Sequence, residues 1–292
     1  MGARIFGRVL GVVALTLALV GQGVFAGSAE AGSVYLTGHD VLLHSGQNSY
    51  DNVILNWLRG AGTGSEIAAA SYDILLARGF QGSVGTVGVN TLEGFGTITT
   101  RDITEFSGPG GAAALTAALV GIDVLVIPSH QDCGGCDLSS ADADVLESRA
   151  GEIATFFNAG GDIYGNSGSD DLTFYNFLPP DAVASGLPIG ASSGFDCTAA
   201  GAAIGIIGGV SCPGSPSMIN GFPTHNRFAS FAPAFTVFEV RGTEIISIGV
   251  RDARITDGGI VTDGGTGVPA PAALVLLGAG LLGVGLLRRF RS

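Results

Sequence analysis

One segment limits the architecture more than any other. Asp123-Val-Leu-Val-Ile127 is an unbroken apolar run closed by Pro128. A strand of this kind is covered on both faces, as in a parallel sheet between helices; a sheet with one wet face would alternate apolar and polar residues instead. The flanks supply the covers. Ala112 to Val120 reads as a helix closed by Gly121. Ser139 caps the next helix, with Asp142 placed for a capping box and Leu146, Ala150, Ile153 and Phe157 on its buried side. Asn158-Ala-Gly-Gly161 stops that helix ahead of a second short strand, Asp162-Ile-Tyr-Gly165, and a further helix is expected to start at Ser169 or Asp170.

The chain before this unit repeats the pattern. Ser33-Val-Tyr-Leu-Thr37 reads as a first strand, and His39 to Gln47 as a polar loop. Asn48 or Ser49 caps a helix with Val53, Ile54, Trp57 and Leu58 at helical spacing, stopped at Gly60. Ser65 to Arg78 reads as a second helix or, over Tyr72 to Leu76, as a strand. Short strands are expected around Val84 to Val89 and at Thr97 to Thr100. After Gly165 the composition changes. Pro179 to Pro216 is rich in Gly, Ala, Ser and Pro and reads as a long excursion, and Phe235 to Arg241 with Glu244 to Arg251 reads as a hairpin about Gly242 and Thr243. The expectation is an α/β domain: an open, mainly parallel sheet with helices on both faces and a C-terminal β-hairpin.

Both extremities are hydrophobic. Arg4 and Arg8 precede an apolar core from Val9 to Val20, and Val24-Phe25-Ala26 and Ala29-Glu30-Ala31 offer small residues for cleavage. Residues 1–31 therefore read as a signal peptide. At the other end, 256–267 is a Gly-rich linker, and 268–292 holds a short apolar segment at 272–287 followed by Arg288, Arg289 and Arg291. Those arginines would hold a membrane helix with its end on the cytoplasmic side. Between the extremities lies one domain, 32–255.

Its charge is lopsided. Over residues 32–267, 24 acidic side chains face 8 Arg, and the chain has no Lys. Such a surface repels nucleic acid and anionic lipid. Four Cys lie in the exported part: Cys133, Cys136, Cys197 and Cys212. An even count in an oxidising compartment argues for disulfides. Three pairings are open; Cys197 with Cys212 is favoured, leaving Cys133 and Cys136 as a tight local bridge through Gly134 and Gly135.

The tail Val268-Pro269-Ala270-Pro271, the apolar run and Arg288-Arg289 resemble the PEP-CTERM class of sorting signals, in its Val-Pro-x-Pro form. That resemblance implies an exosortase-type enzyme as partner and a Gram-negative, exopolysaccharide-making host. It also implies a precursor anchored in the inner membrane and then delivered to the cell surface or the extracellular matrix. Within the domain, Thr37-Gly-His-Asp40 and Asn158-Ala-Gly-Gly161 resemble the class I glutamine amidotransferase-like fold, a flavodoxin-like architecture, and its ThuA-like branch in particular. The turn Gly165-Asn-Ser-Gly-Ser169 falls where that superfamily carries its nucleophile elbow. Cys is absent there, so glutamine hydrolysis is not implied.

In a sheet of this kind ligands bind beyond the carboxyl ends of the strands. His39 with Asp40, His44, His130 and His225 all fall in loops, and His39, Asp40, His130 and His225 are the candidate ligands for a divalent metal. Ser167 with His225 is the candidate nucleophile and base. Two functions are compatible with this pattern. One is an exported surface or matrix protein whose α/β domain binds without catalysing. The other is an exported hydrolase, metal-dependent or not, that uses the histidines at the sheet edge.

Overall fold

The computed structural model describes residues 31–42, 48–64, 66–79, 92, 94–130, 137–179, 182–221 and 223–262. The signal segment, the sorting tail, His44, Cys133, Cys136 and the Val84 to Val89 strand lie outside them. Among the described residues no helix is long and apolar enough to cross a membrane.

The parallel half of the sheet comes from the first 165 residues. Its strands are β1 (Gly32–Thr37), β2 (Ile74–Arg78), β3 (Ile98–Asp102), β4 (Val124–Ile127) and β5 (Asp162–Gly165). They lie in the order β3-β2-β4-β5-β1, all parallel. The helices are α1 (Asn48–Leu58), α2 (Gly111–Ala118), α3 (Ser140–Ser148) and α4 (Ala150–Asn158). Alternation along the strands separates two cores. Val34, Leu36, Leu125, Ile127 and Ile163 meet Leu115 of α2, Leu146 of α3 and Ile153 and Phe157 of α4. Tyr35, Val124, Val126 and Tyr164 meet Ile54, Leu55 and Leu58 of α1 on the opposite face. Helices therefore cover both faces, as the apolar run at 123–127 requires.

The C-terminal third adds more strand than one hairpin. β6 (Val183–Ala191), β7 (Asp196–Cys197), α5 (Ala199–Ile204) and β8 (Thr224–Phe231) precede β9 (Thr236–Arg241), β10 (Glu244–Thr256) and β11 (Gly259–Thr262). β10 is the seam. It pairs antiparallel with β1 on one side and with β8, β9 and β11 elsewhere, completing an 11-stranded mixed sheet among the described residues. The expected β9–β10 hairpin is present, turning at Gly242 with φ 61°.

Five sequence expectations are corrected. The excursion at 179–216 holds strands because its Gly- and Ala-rich backbone pairs with β8 without an apolar alternation to announce it. The linker begins later than 256, since Gly259–Thr262 returns along β10. The helix option over 65–78 yields to a strand at Ile74–Arg78, preceded by a 3₁₀ turn at Ala69–Ser71. The single helix running from Ser139 is two. Arg149 leaves helical geometry at φ −110°, ψ 12°, and its guanidinium donates to Phe106 O and Gly108 O. No helix starts at Ser169 or Asp170; a turn leads to a 3₁₀ segment at Phe174–Phe177.

Other expectations hold in detail. Ser139 and Asp142 form the reciprocal capping box, and Gly60 and Gly121 close their helices at φ 79° and 74°. At the last residue of α4, the Asn158 side chain mimics a strand: its amide donates to Ile255 O at 2.8 Å and accepts from Ile255 N at 2.7 Å.

At the amino end of the parallel strands Asp162 is buried, accepting from Tyr72 OH at 2.6 Å and from Ser33 N at 2.7 Å. Burial pushes its carboxyl up from 3.8 to about 7, against the lowering effect of those bonds. A carboxyl whose folded pKa is raised holds its proton in the fold after the unfolded chain has lost it. Its stabilising contribution is complete below about 3.8 and is lost as pH rises toward 7. Asp162→Asn is expected to remove on the order of 4 kcal/mol of this pH dependence, read from denaturant midpoints at pH 4, 5.5 and 7. An unchanged slope would contradict the assignment.

Candidate functional site

Where neighbouring parallel strands send their onward connections in opposite directions, their carboxyl ends leave a crevice. β1 runs on toward β2, whereas β5 runs on toward β6 on the other side of β1. Their crevice is bordered by Gly38-His39-Asp40 and Asn166-Ser167-Gly168. The chain entering β8 fills it. Thr224 bridges to His39, and His225 N donates to Gly38 O at 2.9 Å. A Cβ on Gly38 would sit 1.8 Å from Asn226 O, so only glycine admits this approach.

Beneath the crevice lies a polar network with no solvent exposure. His39 Nδ1 is 2.6 Å from Thr224 Oγ1, and Nε2 is 2.7 Å from Glu239 Oε2. Tyr50 OH and Tyr35 OH donate to Glu239 Oε1 at 2.5 and 3.0 Å. Thr37 and Ser247 hydroxyls meet at 2.8 Å, and Tyr164 OH donates to Asp51 Oδ1 at 2.7 Å. Burial alone would raise the Glu239 carboxyl. His39 and the Tyr50 and Ser247 hydroxyls outweigh it and hold the carboxyl below its ordinary range. The same burial drives Tyr35, Tyr50 and Tyr164 far above theirs.

The upper layer is also knitted to itself. Asn226 Oδ1 accepts from Ser167 Oγ at 2.8 Å, Gly168 N at 2.8 Å and Tyr175 OH at 3.2 Å. Ser167 Oγ in turn accepts from Ser169 N at 3.0 Å. The left-handed residue of this turn is Ser169, φ 51°, not Ser167. A nucleophile elbow presents its serine on a strained strand-to-helix turn. Here no helix follows, and the Ser167 hydroxyl faces Asn226. Of the expected Ser167–His225 pair, Ser167 Oγ donates to Asn226, and among the described residues the ionisable group facing His225 is Asp40, with Nε2 to Oδ2 at 3.6 Å.

His130 belongs to a different constellation. Its backbone N donates to Ser167 O at 2.8 Å, but its ring turns to Ser140, Asp170 and Asp171. His39, Asp40, His130 and His225 therefore do not gather as one metal-ligand set. Both His39 nitrogens are already engaged. Among the described residues, the group of three or more metal-ligating side chains at suitable spacing is Asp196, Cys197 and Cys212. Its sulfurs are bonded to each other at 2.07 Å, with Cα atoms 5.9 Å apart, so they offer no thiolate. This is the favoured Cys197–Cys212 bridge.

Sequence reasoning missed Glu239, Asn226, Tyr175 and Ser140. A lone carboxylate between Phe238 and Val240 in a strand was the signal for Glu239, since an unpaired charge at such a position is costly. For Asn226, Tyr175 and Ser140 the local sequence carries no comparable mark.

No family model matches the chain, and no curated protein matches it. Among solved structures, part of the chain aligns with the crystal structure of a peptidase from an acI-B1 Actinobacterium. The identity is 12%, the TM-score is 0.31, and the match covers 55% of this chain and 60% of that one. The match thus spans about three fifths of that protein's length.

Removing one partner of the fully buried, hydrogen-bonded His39–Glu239 pair strands the other. Glu239→Ala is expected to cost roughly 3–5 kcal/mol in chemical denaturation at pH 7. A loss under about 1 kcal/mol would mean that the pair is solvated and carries no load.

Proposed function

We propose that the chain is an exported protein of a Gram-negative envelope. Residues 1–31 direct it across the inner membrane, and the tail at 268–292 holds the precursor there. An exosortase-type enzyme then processes the Val268-Pro269-Ala270-Pro271 tetrad. The released α/β domain acts at the cell surface or in the exopolysaccharide matrix, by binding. The observation that carries this reading is the Cys197–Cys212 disulfide, which ties the strand β7 to the loop after α5. Such bonds persist in oxidising compartments, and closing a loop of 15 residues contributes about 3 kcal/mol. The acidic composition disfavours nucleic acid as a partner and favours neutral or cationic ligands.

A second reading, an exported hydrolase working at the same sheet edge, is favoured by one specific observation: His130 is buried with a hydroxyl at one ring nitrogen and a carboxylate facing the other. It needs no metal and makes no use of Ser167.

Intact-mass and peptide mapping of protein recovered from the producing cells test the export reading. The expected result is an N-terminus near Gly27 or Gly32, a C-terminus at the tetrad and a Cys197–Cys212 cross-linked peptide. Full-length chain with four reduced thiols would overturn it.

A further inference from the structure

His130 stands at the carboxyl end of β4, beside a second crevice, where β2 runs on to β3 and β4 runs on to β5 in opposite directions. The residue is 3% exposed, and its ring leans edge-on against Phe174, the centroids 5.9 Å apart. Nε2 lies 3.2 Å from Ser140 Oγ. Nδ1 is buried and makes no hydrogen bond among the described residues; of these, the carboxylate facing it is Asp170, with Oδ1 at 4.0 Å. A hydroxyl at one imidazole nitrogen and a carboxylate at the other is the order of nucleophile, base and orienting acid. The longer Asp170 contact is of the kind that tightens when substrate binds.

Ser140 is exposed, so an incoming carbonyl can reach it. It is also the first residue of α3. The Asp142 N–H is taken by Ser139, while the N–H groups of Ser140 and Ala141 have no acceptor within the helix. Two such donors at a helix N-terminus suit a developing oxyanion. The backbone holds this arrangement in place. Asp137 N and Leu138 N both donate to Ser129 O at 3.1 Å, bringing the start of α3 back to His130. Asp171 Oδ1 accepts from Thr173 N and Oγ1, and its Oδ2 lies 3.6 Å from His130 Nε2. Among the described residues, the charged groups facing the ring are thus Asp170 and Asp171.

We propose that Ser140, His130 and Asp170 form an acyl-ester hydrolase site; this rests on the hydrolase reading above and names its nucleophile, base and orienting carboxylate. Ser140 Oγ attacks the ester carbonyl carbon and passes its proton to His130 Nε2. The carbon–oxygen bond to the alcohol breaks, and the departing oxygen takes that proton. Water then attacks the acyl carbon and gives a proton to Nε2. The bond to Oγ breaks, and Oγ recovers the proton, so ester and water become acid and alcohol. Asp170, half-exposed at 52%, and Asp171 make the entrance negative. The site therefore takes uncharged or cationic acyl groups and rejects acyl groups that bear a carboxylate.

The test uses disulfide-intact mature protein with p-nitrophenyl butyrate, a p-nitrophenyl hemisuccinate and a fluorophosphonate probe. The expected result is turnover of the butyrate, at least tenfold less of the hemisuccinate, and probe attached to the Ser140 peptide. Ser140→Ala should remove the label and lower turnover by about 100-fold or more; Ser148→Ala, at the far end of the same helix, should change neither. Asp170→Asn should lower kcat about tenfold at unchanged KM, with Asp170→Glu restoring part of it. Turnover that survives Ser140→Ala with label on another residue would overturn the Ser140 site and leave the hydrolase reading standing. Absence of both label and turnover in the unmodified protein would overturn both.

Discussion

The interior pair of His39 and Glu239 holds the two halves of the sheet in register. β1 closes the parallel half, and β10 opens the antiparallel one. Glu239 arrives on β9, outside β10, yet reaches His39 just past the end of β1. Taking two such groups out of water is costly, and the cost is offset only when each remaining lone pair and proton finds a partner. Tyr35, Tyr50 and Thr224 supply those partners from β1, α1 and β8. Four separate segments must therefore be in place before the pair is satisfied, which couples the late strands to the early ones.

This coupling decides what the adjacent crevice can do. A histidine with both nitrogens committed cannot ligate a metal or shuttle protons to an outside substrate. Asn226, entering on the same strand as Thr224, commits the Ser167 hydroxyl in turn. The crevice between β5 and β1 is thus closed by the protein's own side chains. The crevice at the end of β4 is different: there, among the described residues, His130 keeps one nitrogen without a hydrogen bond, and Ser140 faces solvent. One carboxyl edge carries both arrangements, one closed and structural, the other open to chemistry.

Local chemistry made the parallel half legible. The run at 123–127, the capping box at Ser139 and Asp142, and the glycines at 60 and 121 each act within a few residues, and the structure follows them. What escaped depends on distant partners. Arg149 breaks its helix for carbonyls more than forty positions away. β6 is held to β8 largely by backbone pairing, so its small residues show no period. His39 was recognisable as a polar residue at a strand end, but its partner lies 200 positions on. Its role could not be inferred from its neighbours, because both ring nitrogens serve hydrogen bonds inside the core.

The most direct measurement is made on the His39 ring itself. Glu239, held ionised, can only accept, so Nε2 must carry the proton. Nitrogen-15 NMR of the histidine side chains at pH 7 should show His39 Nε2 protonated, with that proton exchanging only as fast as the whole domain unfolds. An unprotonated Nε2, or a proton that exchanges within seconds while the sheet amides stay protected, would contradict the account.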